Sequence, residues 1–113
     1  MDPIPQPDFE AMVADALDTL PDEVLEWLDN VVVLVEDEHP DDLLGLYEGI
    51  PHTDRMDYGD MALPDRITLY RLALCRFVDD VDQLAEEIHV TVVHELAHHI
   101  GIDDDRLHEL GWD

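Results

Sequence analysis

The residues whose types and spacing point most clearly to a chemical function are His94, Glu95 and His98, which form the pattern H-E-x-x-H. The two histidines are four residues apart, so on a helix their imidazoles share one face and can bind the same metal ion. Glu95 lies about 100° further round such a helix, where its carboxylate can hold a water molecule beside the metal. Two imidazoles with one further protein ligand would leave an open position, which is the arrangement of a catalytic zinc site.

Gly101 and Asp104 extend the pattern to H-E-x-x-H-x-x-G-x-x-D. Glycine can adopt a positive φ, so Gly101 can end the helix and let the chain double back. Asp104 can then return beneath the metal as the third ligand. We therefore predict one zinc ion per chain, bound by His94, His98 and Asp104. The alternative is an amphipathic helix with exposed histidines, and the added glycine and aspartate make a chance occurrence much rarer.

Several polar residues beside the motif have competing interpretations. Asp103 and Asp105 flank Asp104 and could replace it as a ligand, although capping of a short C-terminal helix is the expected role of one of them. His108 lies four residues after Asp104 and could approach the metal, but an exposed histidine is the simpler interpretation. His99 points about 100° away from its neighbour on the helix and is not expected to be a ligand.

Two tyrosines and one predicted strand could serve a substrate. Tyr47 or Tyr70 could stabilise an oxyanion, because a phenol can donate a hydrogen bond, although each is more often a packed aromatic residue. An extended peptide could pair along residues 66–70 if that strand has an open edge. The single Cys75 lies in an apolar run, which predicts a buried, unreactive thiol.

The elements that must position the motif can be predicted from hydrophobic spacing. Apolar residues at helical spacing from Phe9 onwards predict a core-facing helix that Asp8 caps. Residues 22–28 are expected to add a helical turn that packs Leu25 and Leu28.

Residues 31–35 form a continuous apolar run, which predicts a strand with both faces covered. Residues 66–70 alternate between apolar and polar types and predict a second strand. Residues 43–47 and 72–78 fit either a helix or a strand. From residue 80 to residue 100 the apolar spacing is helical, and this helix carries the motif.

The length of 113 residues predicts one small domain, spanning 1–113, with a single core. The hydrophobic content of 46% argues against disorder. The chain has 30 acidic residues and only 5 basic ones, all arginine, so nucleic-acid phosphates would be repelled. It has no apolar run of membrane-spanning length and no signal-like N-terminus. A lone cysteine fits a reducing cytoplasm.

The net charge of −25 also indicates the ionic setting. Such a surface repels itself in dilute buffer. At about 1 M salt the Debye length falls to about 3 Å, so most of that repulsion disappears. The composition therefore predicts a cytoplasmic protein of a cell with high internal salt. The alternative, an acidic interaction tail, fits less well because the acids are spread along the whole chain.

The extended motif and several other segments resemble a known family, the minimal zincin-like metallopeptidases of bacteria and archaea. The resemblance covers nearly the whole chain and is carried by residues 16–21 (ALDTLP), 43–51 (LLGLYEGIP), 63–71 (LPDRITLYR), 94–104 and 111–112 (GW). It implies an α+β fold in which a small mixed sheet packs on the active-site helix. It also implies His94, His98 and Asp104 as zinc ligands and Glu95 as the catalytic base.

The motif is similar to that of the metzincins, and closest to the snapalysin variant, in which aspartate replaces the third histidine. Metzincins place a methionine-containing turn after the third ligand, but the nine residues after Asp104 include no methionine. Met56 and Met61 lie upstream, within the loop-rich region 48–65. Leu107 or Trp112 could form the hydrophobic base of the site instead.

The resemblance thus predicts zinc-dependent hydrolysis of peptide bonds in a peptide or protein substrate. One alternative is a non-catalytic zinc-binding interaction domain, which measured turnover would distinguish. Another is a metal-free structural protein, which metal analysis would exclude. The sequence does not determine the natural substrate, the cleavage preference or the oligomeric state.

Overall fold

The computed structural model describes residues 1–49, 64–102 and 104–109, together with all their side chains except those of Asp104 and Leu107. Helices and a small mixed sheet make up this part of the chain, which confirms the predicted α+β class. In chain order the elements are α1 (Gln6–Asp18), α2 (Asp22–Trp27), β1 (Val31–Glu36), β2 (Gly45–Glu48), β3 (Asp65–Tyr70), α3 (Arg71–Phe77), α4 (Val81–Ile100) and α5 (Asp104–Glu109). Asp103, Trp112, Met56, Met61 and most of the predicted loop region 48–65 lie outside the described residues.

The three described strands form one sheet in the order β1-β3-β2. β1 pairs with β3 in parallel, with Val33 opposite Ile67, and β2 pairs with β3 antiparallel, with Leu46 opposite Thr68. The prediction of a strand at 66–70 is confirmed. The prediction that this strand could offer an open edge to a substrate is wrong, because β3 is the central strand and is paired on both sides.

β1 is covered on one face only, which contradicts the prediction of a strand buried on both faces. Burial alternates along it, with Val32 and Leu34 40% and 43% exposed. Val31, Val33 and Val35 pack against the core instead. The continuous apolar run is typical of strands enclosed between two helical layers, whereas β1 lies at an edge of the described sheet and keeps its outer face accessible.

The two N-terminal helices correct two details of the sequence interpretation. α1 buries Phe9 and Val13 as predicted, but Pro5 occupies its N-cap position and Asp8 lies inside the helix. In α2 the buried residue is Val24, at 1% exposure, whereas Leu25 is 42% exposed. A helix of six residues is too short for apolar spacing to fix which of two neighbouring residues faces the core.

Helix α4 is the longest helix in the described ranges and carries the motif. Asp80 caps its N-terminus, accepting a hydrogen bond of 2.8 Å from the Gln83 main-chain N–H. Gly101 ends it with φ at 87°, as predicted. Its buried residues face α1, α2, α3 and the sheet, and they are Leu84, Ile88, Thr91, Val92, Val93, Leu96 and Ala97. The motif therefore lies on a helix that the core already fixes.

α3 settles the ambiguous segment 72–78 as a helix. This helix contains Cys75, whose side chain is fully buried and not in a disulfide, in agreement with the prediction of a buried thiol. In the residues that the structure describes, none of the helices has the length and apolar character needed to cross a membrane.

Candidate metal centre and catalytic site

His94 and His98 lie on one face of α4, as their spacing predicts. Their ring centroids are 6.0 Å apart, with the ring planes inclined by 52°. A tetrahedral zinc ion with Zn–N distances of about 2.0–2.1 Å would hold two such ring centres roughly 5 Å apart. A small rotation of the two side chains would close this difference. His94 is half-buried and His98 is exposed, so the pair is open to solvent on one side.

The chain turns sharply after these histidines. Gly101 adopts the left-handed conformation, and the Ile102 N–H donates a hydrogen bond of 2.8 Å to the Ala97 carbonyl oxygen. α5 then begins at Asp104, within a few residues of the end of α4. The turn expected from Gly101 is thus present, and α5 begins only a few residues after it.

The third ligand stays a prediction, because the Asp104 side chain lies outside the described residues. Among the side chains that the structure describes, no three histidine, cysteine, aspartate or glutamate residues are grouped closely enough to hold a metal ion. Of the competing candidates, Asp105 and His108 are exposed on α5. Of the three predicted zinc ligands, the structure therefore describes the side chains of His94 and His98.

Glu95 is half-buried beside strand β2, and its carboxylate accepts a hydrogen bond from the main-chain N–H of Tyr47. Burial raises the pKa of this carboxyl above its ordinary value of 4.5. The Tyr47 hydrogen bond and the nearby imidazoles of His98 and His94 act in the opposite direction. A carboxylate that is held in place beside two histidines suits a group that must accept and return a proton.

Gly45 allows β2 to approach the motif helix this closely. A Cβ atom at this position would lie 2.7 Å from Thr91 Cγ2 and 3.4 Å from the Thr68 carbonyl oxygen. At the first distance the two carbon atoms would overlap, so a side chain at this position would push β2 and α4 apart. The close approach brings the next residues of β2 alongside Glu95.

The Tyr47 side chain joins β2 to the C-terminal end of α4. Its ring stacks on His99, with centroids 3.8 Å apart and planes inclined by 15°. Its hydroxyl donates a hydrogen bond of 2.8 Å to Asp65 Oδ2 at the start of β3. His99 Nε2 lies 3.8 Å from the same oxygen. The Tyr47 hydroxyl, a predicted oxyanion donor, is therefore engaged with Asp65.

Tyr70, the other predicted oxyanion donor, lies away from the motif. It shares its face of β3 with Thr68, whereas Ile67 and Leu69 point into the core. Its ring meets His39 edge-on at 5.5 Å. Burial raises the pKa of the Tyr70 hydroxyl, and nearby glutamates add to the effect. This residue is a packed aromatic of the outer sheet face.

Sequence reasoning missed the contacts by which Gly45, Tyr47, Asp65 and His99 hold β2 against the motif helix. One signal was present, since a glycine inside a short apolar segment often marks a close approach of two backbones. The segment was too short to be assigned as a strand, so that signal had no structural context. The contacts of Tyr47 and Asp65 depend on strand pairing and could not be read from local spacing.

Comparisons with known proteins agree with this architecture. A family model described as zincin-like metallopeptidase matches residues 28–112. A solved structure, a conserved hypothetical protein from Thermus thermophilus, superposes with a TM-score of 0.58 at 21% identity, covering 85% of this chain and 94% of that one. At this identity the likeness concerns the fold alone. No curated protein matches the chain. The family match extends from the end of α2 to the last residues and includes the whole motif, and the chain therefore belongs to the zincin-like metallopeptidase family.

Proposed function

We propose that the chain is a zinc-dependent metallopeptidase that hydrolyses peptide bonds with Glu95 as general base. The observation that carries the proposal is the position of the Glu95 carboxylate. It is half-buried, it is held by a main-chain N–H of β2, and it is adjacent on the helix to the His94 and His98 pair. Family membership supports the coarser statement of a metallopeptidase-type domain.

His94 and His98 would hold the zinc ion, with Asp104 as the third ligand. When bound, zinc supplies Lewis-acid chemistry, because it polarises a carbonyl and makes water more acidic. Glu95 accepts a proton from the attacking water and returns it to the leaving amine. A carboxylate has two oxygens, so one can remain on the Tyr47 N–H while the other handles the proton.

The substrate is proposed to lie along β2 rather than β3. β2 is an edge of the described sheet and is the strand that contacts α4 beside Glu95. Hydrogen bonds alternate along an antiparallel pair, and the Tyr70 N–H donates to the Leu44 carbonyl oxygen at 3.0 Å. Gly45 and Tyr47 therefore direct their main-chain groups away from β3, on the side of Glu95. Because the Tyr47 N–H is held by Glu95, an extended peptide would pair there through the main-chain groups of Gly45 and the Tyr47 carbonyl oxygen, which would present a peptide bond to the site.

The cellular setting is part of the same proposal. The described arginines pair with carboxylates, for example Arg66 with Glu48 at 3.2 Å and Arg76 with Asp42 at 2.8 Å. With 5 arginines against 30 acidic residues in the chain, the arginines cannot neutralise most of the acidic charge. We propose that the protein works in a salt-rich cytoplasm, where ions screen this repulsion.

The decisive experiment compares wild type with Glu95→Gln on a mixed peptide library at molar salt, with zinc content measured in each protein. Glu95→Gln should keep its zinc and lose about 10²–10⁴-fold in turnover, the usual contribution of a general base. Glu86→Gln is the matched control, because Glu86 is exposed on the same helix and should leave turnover unchanged. Cleavage that survives in a zinc-replete Glu95→Gln protein would refute the mechanism. Full zinc occupancy without cleavage by wild type would favour the alternative, a zinc-binding interaction domain.

A further inference from the structure

We infer that Tyr47 is a positioning residue for Glu95, acting through its main chain on the carboxylate and through its side chain on the placement of β2. The catalytic part of this inference rests on the proposed function. The structural part, a clamp between β2, β3 and the end of α4, does not. Tyr47 is thus assigned a role distinct from oxyanion stabilisation.

The main-chain contact follows from the register of β2. The Tyr70 N–H donates to the Leu44 carbonyl oxygen, so the alternate residues Leu44 and Leu46 direct their main-chain groups towards β3 and the residue between or after them directs its groups away. The Tyr47 N–H therefore points away from β3, and the acceptor that it meets there is the Glu95 carboxylate. A hydrogen bond to a charged acceptor is stronger than one between neutral groups. It restricts a side chain that otherwise has several rotatable bonds.

The side-chain contacts hold the strand that supplies this donor. The Tyr47 ring stacks on His99 at a centroid distance of 3.8 Å, and its hydroxyl donates to Asp65 Oδ2 at 2.8 Å. Asp65 is itself fixed, because its main-chain N–H donates a hydrogen bond of 3.0 Å to the Asn30 carbonyl oxygen. One aromatic residue thereby connects the motif helix, the edge strand and the first residue of the central strand.

The two sets of contacts bracket Glu95 along the helix. Gly45 touches α4 at Thr91, before Glu95, and Tyr47 touches it at His99, after Glu95. With β2 held at both ends, the Tyr47 N–H has little freedom to slide along α4 relative to the carboxylate. Displacements of about 1 Å at a catalytic group can cost as much as 10²-fold in rate, so the clamp has a catalytic consequence.

Two substitutions separate the contributions of the Tyr47 side chain. Tyr47→Phe keeps the ring on His99 and removes only the bond to Asp65, whereas Tyr47→Ala removes both contacts. We expect Tyr47→Ala to lower kcat by about tenfold or more with KM and zinc content little changed, and Tyr47→Phe to recover most of the loss. Tyr70→Phe is the matched control, since Tyr70 lies on the outer sheet face and should leave kcat unchanged.

A second measurement needs no catalysis. Hydrogen exchange, followed by NMR, should show a protected Tyr47 amide in wild type that exchanges about tenfold or more faster in Glu95→Ala. The Leu46 amide, which faces β3, should be unaffected. Glu95→Gln keeps an acceptor but no charge, so it should give an intermediate rate and serves if Glu95→Ala does not fold.

The outcomes distinguish this inference from the proposed function. Coupling of the Tyr47 amide to Glu95 in a protein that cleaves no peptide would support the clamp and count against the peptidase. Equal exchange of that amide in wild type and both Glu95 variants would overturn the inference even if wild type cleaves. A Tyr47→Ala protein with unchanged kcat would overturn its catalytic part.

Discussion

Replacing Gly45 by alanine tests how closely β2 must approach the motif helix. The new methyl group would meet Thr91 Cγ2 at 2.7 Å and the Thr68 carbonyl oxygen at 3.4 Å. Neither neighbour can move easily, because Thr91 is buried inside α4 and Thr68 belongs to the central strand. Restoring an ordinary carbon–carbon distance of about 3.5–4 Å requires β2 to shift by roughly 1 Å.

The expected cost follows from two opposing effects. Overpacking of this kind destabilises a protein by about 1–3 kcal/mol. Alanine recovers about 0.4–1 kcal/mol, because it restricts the unfolded chain more than glycine does. The free energy of unfolding should therefore fall by about 1–2 kcal/mol, which lowers the Tm by roughly 4–8 °C for a chain of this size. The same shift carries the Tyr47 N–H away from Glu95, so peptidase turnover should fall as well.

Thr91→Ser is the matched second change. It removes the Cγ2 methyl but keeps the hydroxyl that hydrogen-bonds to Glu87. Alone it should cost about 1 kcal/mol for the lost methyl group, yet added to Gly45→Ala it should recover about half of the lost stability. Thermal unfolding of the four proteins gives a double-mutant cycle with a coupling energy of about 1.5–2 kcal/mol in magnitude. Additive effects, or a Gly45→Ala protein as stable as wild type, would refute the close contact.

Three further outcomes are expected. Phe9→Ala should lower the free energy of unfolding by about 3–5 kcal/mol because the ring is fully buried, whereas Phe77→Ala, at a site that is 61% exposed, should leave the urea midpoint nearly unchanged. The Tm should rise from low to molar salt as the charge of −25 is screened and apolar burial is strengthened; a flat Tm would contradict the salt-rich setting. In the metal-free protein the raised pKa of Glu95 means that the folded state binds the carboxyl proton of Glu95 more tightly than the unfolded state does. The contribution of Glu95 to the free energy of unfolding is therefore fully present at low pH and is lost as the pH rises through the folded-state pKa. Glu95→Gln should therefore raise the urea midpoint at pH 7 and confer no such gain below the ordinary value of 4.5.

The parts of the site that sequence could predict are local to one helix. The spacing of His94 and His98 placed them on one face, and Gly101 ended the helix with a positive φ. What sequence could not supply depends on contacts between distant segments. The approach of Gly45 to Thr91 requires the strand order, which also places β2 rather than β3 at an edge of the described sheet.

The same distinction explains the errors in the fold. The apolar run in β1 was compatible with one covered face or two, and only the number of helical layers decides between them. The prediction that Leu25 packs into the core is wrong, and Val24 is buried instead, because one or two helical turns contain too few apolar residues to define a face. The buried faces of long helices with many apolar positions, such as α1 and α4, can be predicted from sequence, because each added apolar residue narrows which side of the helix faces the core.

Of the seven buried residues of α4, five precede His94 and two, Leu96 and Ala97, lie between Glu95 and His98, so apolar packing holds the backbone of the motif histidines. In small zinc domains the metal drives folding, because the free energy of metal binding offsets the cost of ordering the chain. Here that order is supplied by the core, which leaves metal affinity to be set by the ligands themselves. The proposed zinc ion would then be exchangeable: a chelator should strip it from a protein that stays folded, and added zinc should restore it without a refolding step. Its effect on the Tm should then follow mass action, rising with the logarithm of free zinc concentration above the dissociation constant.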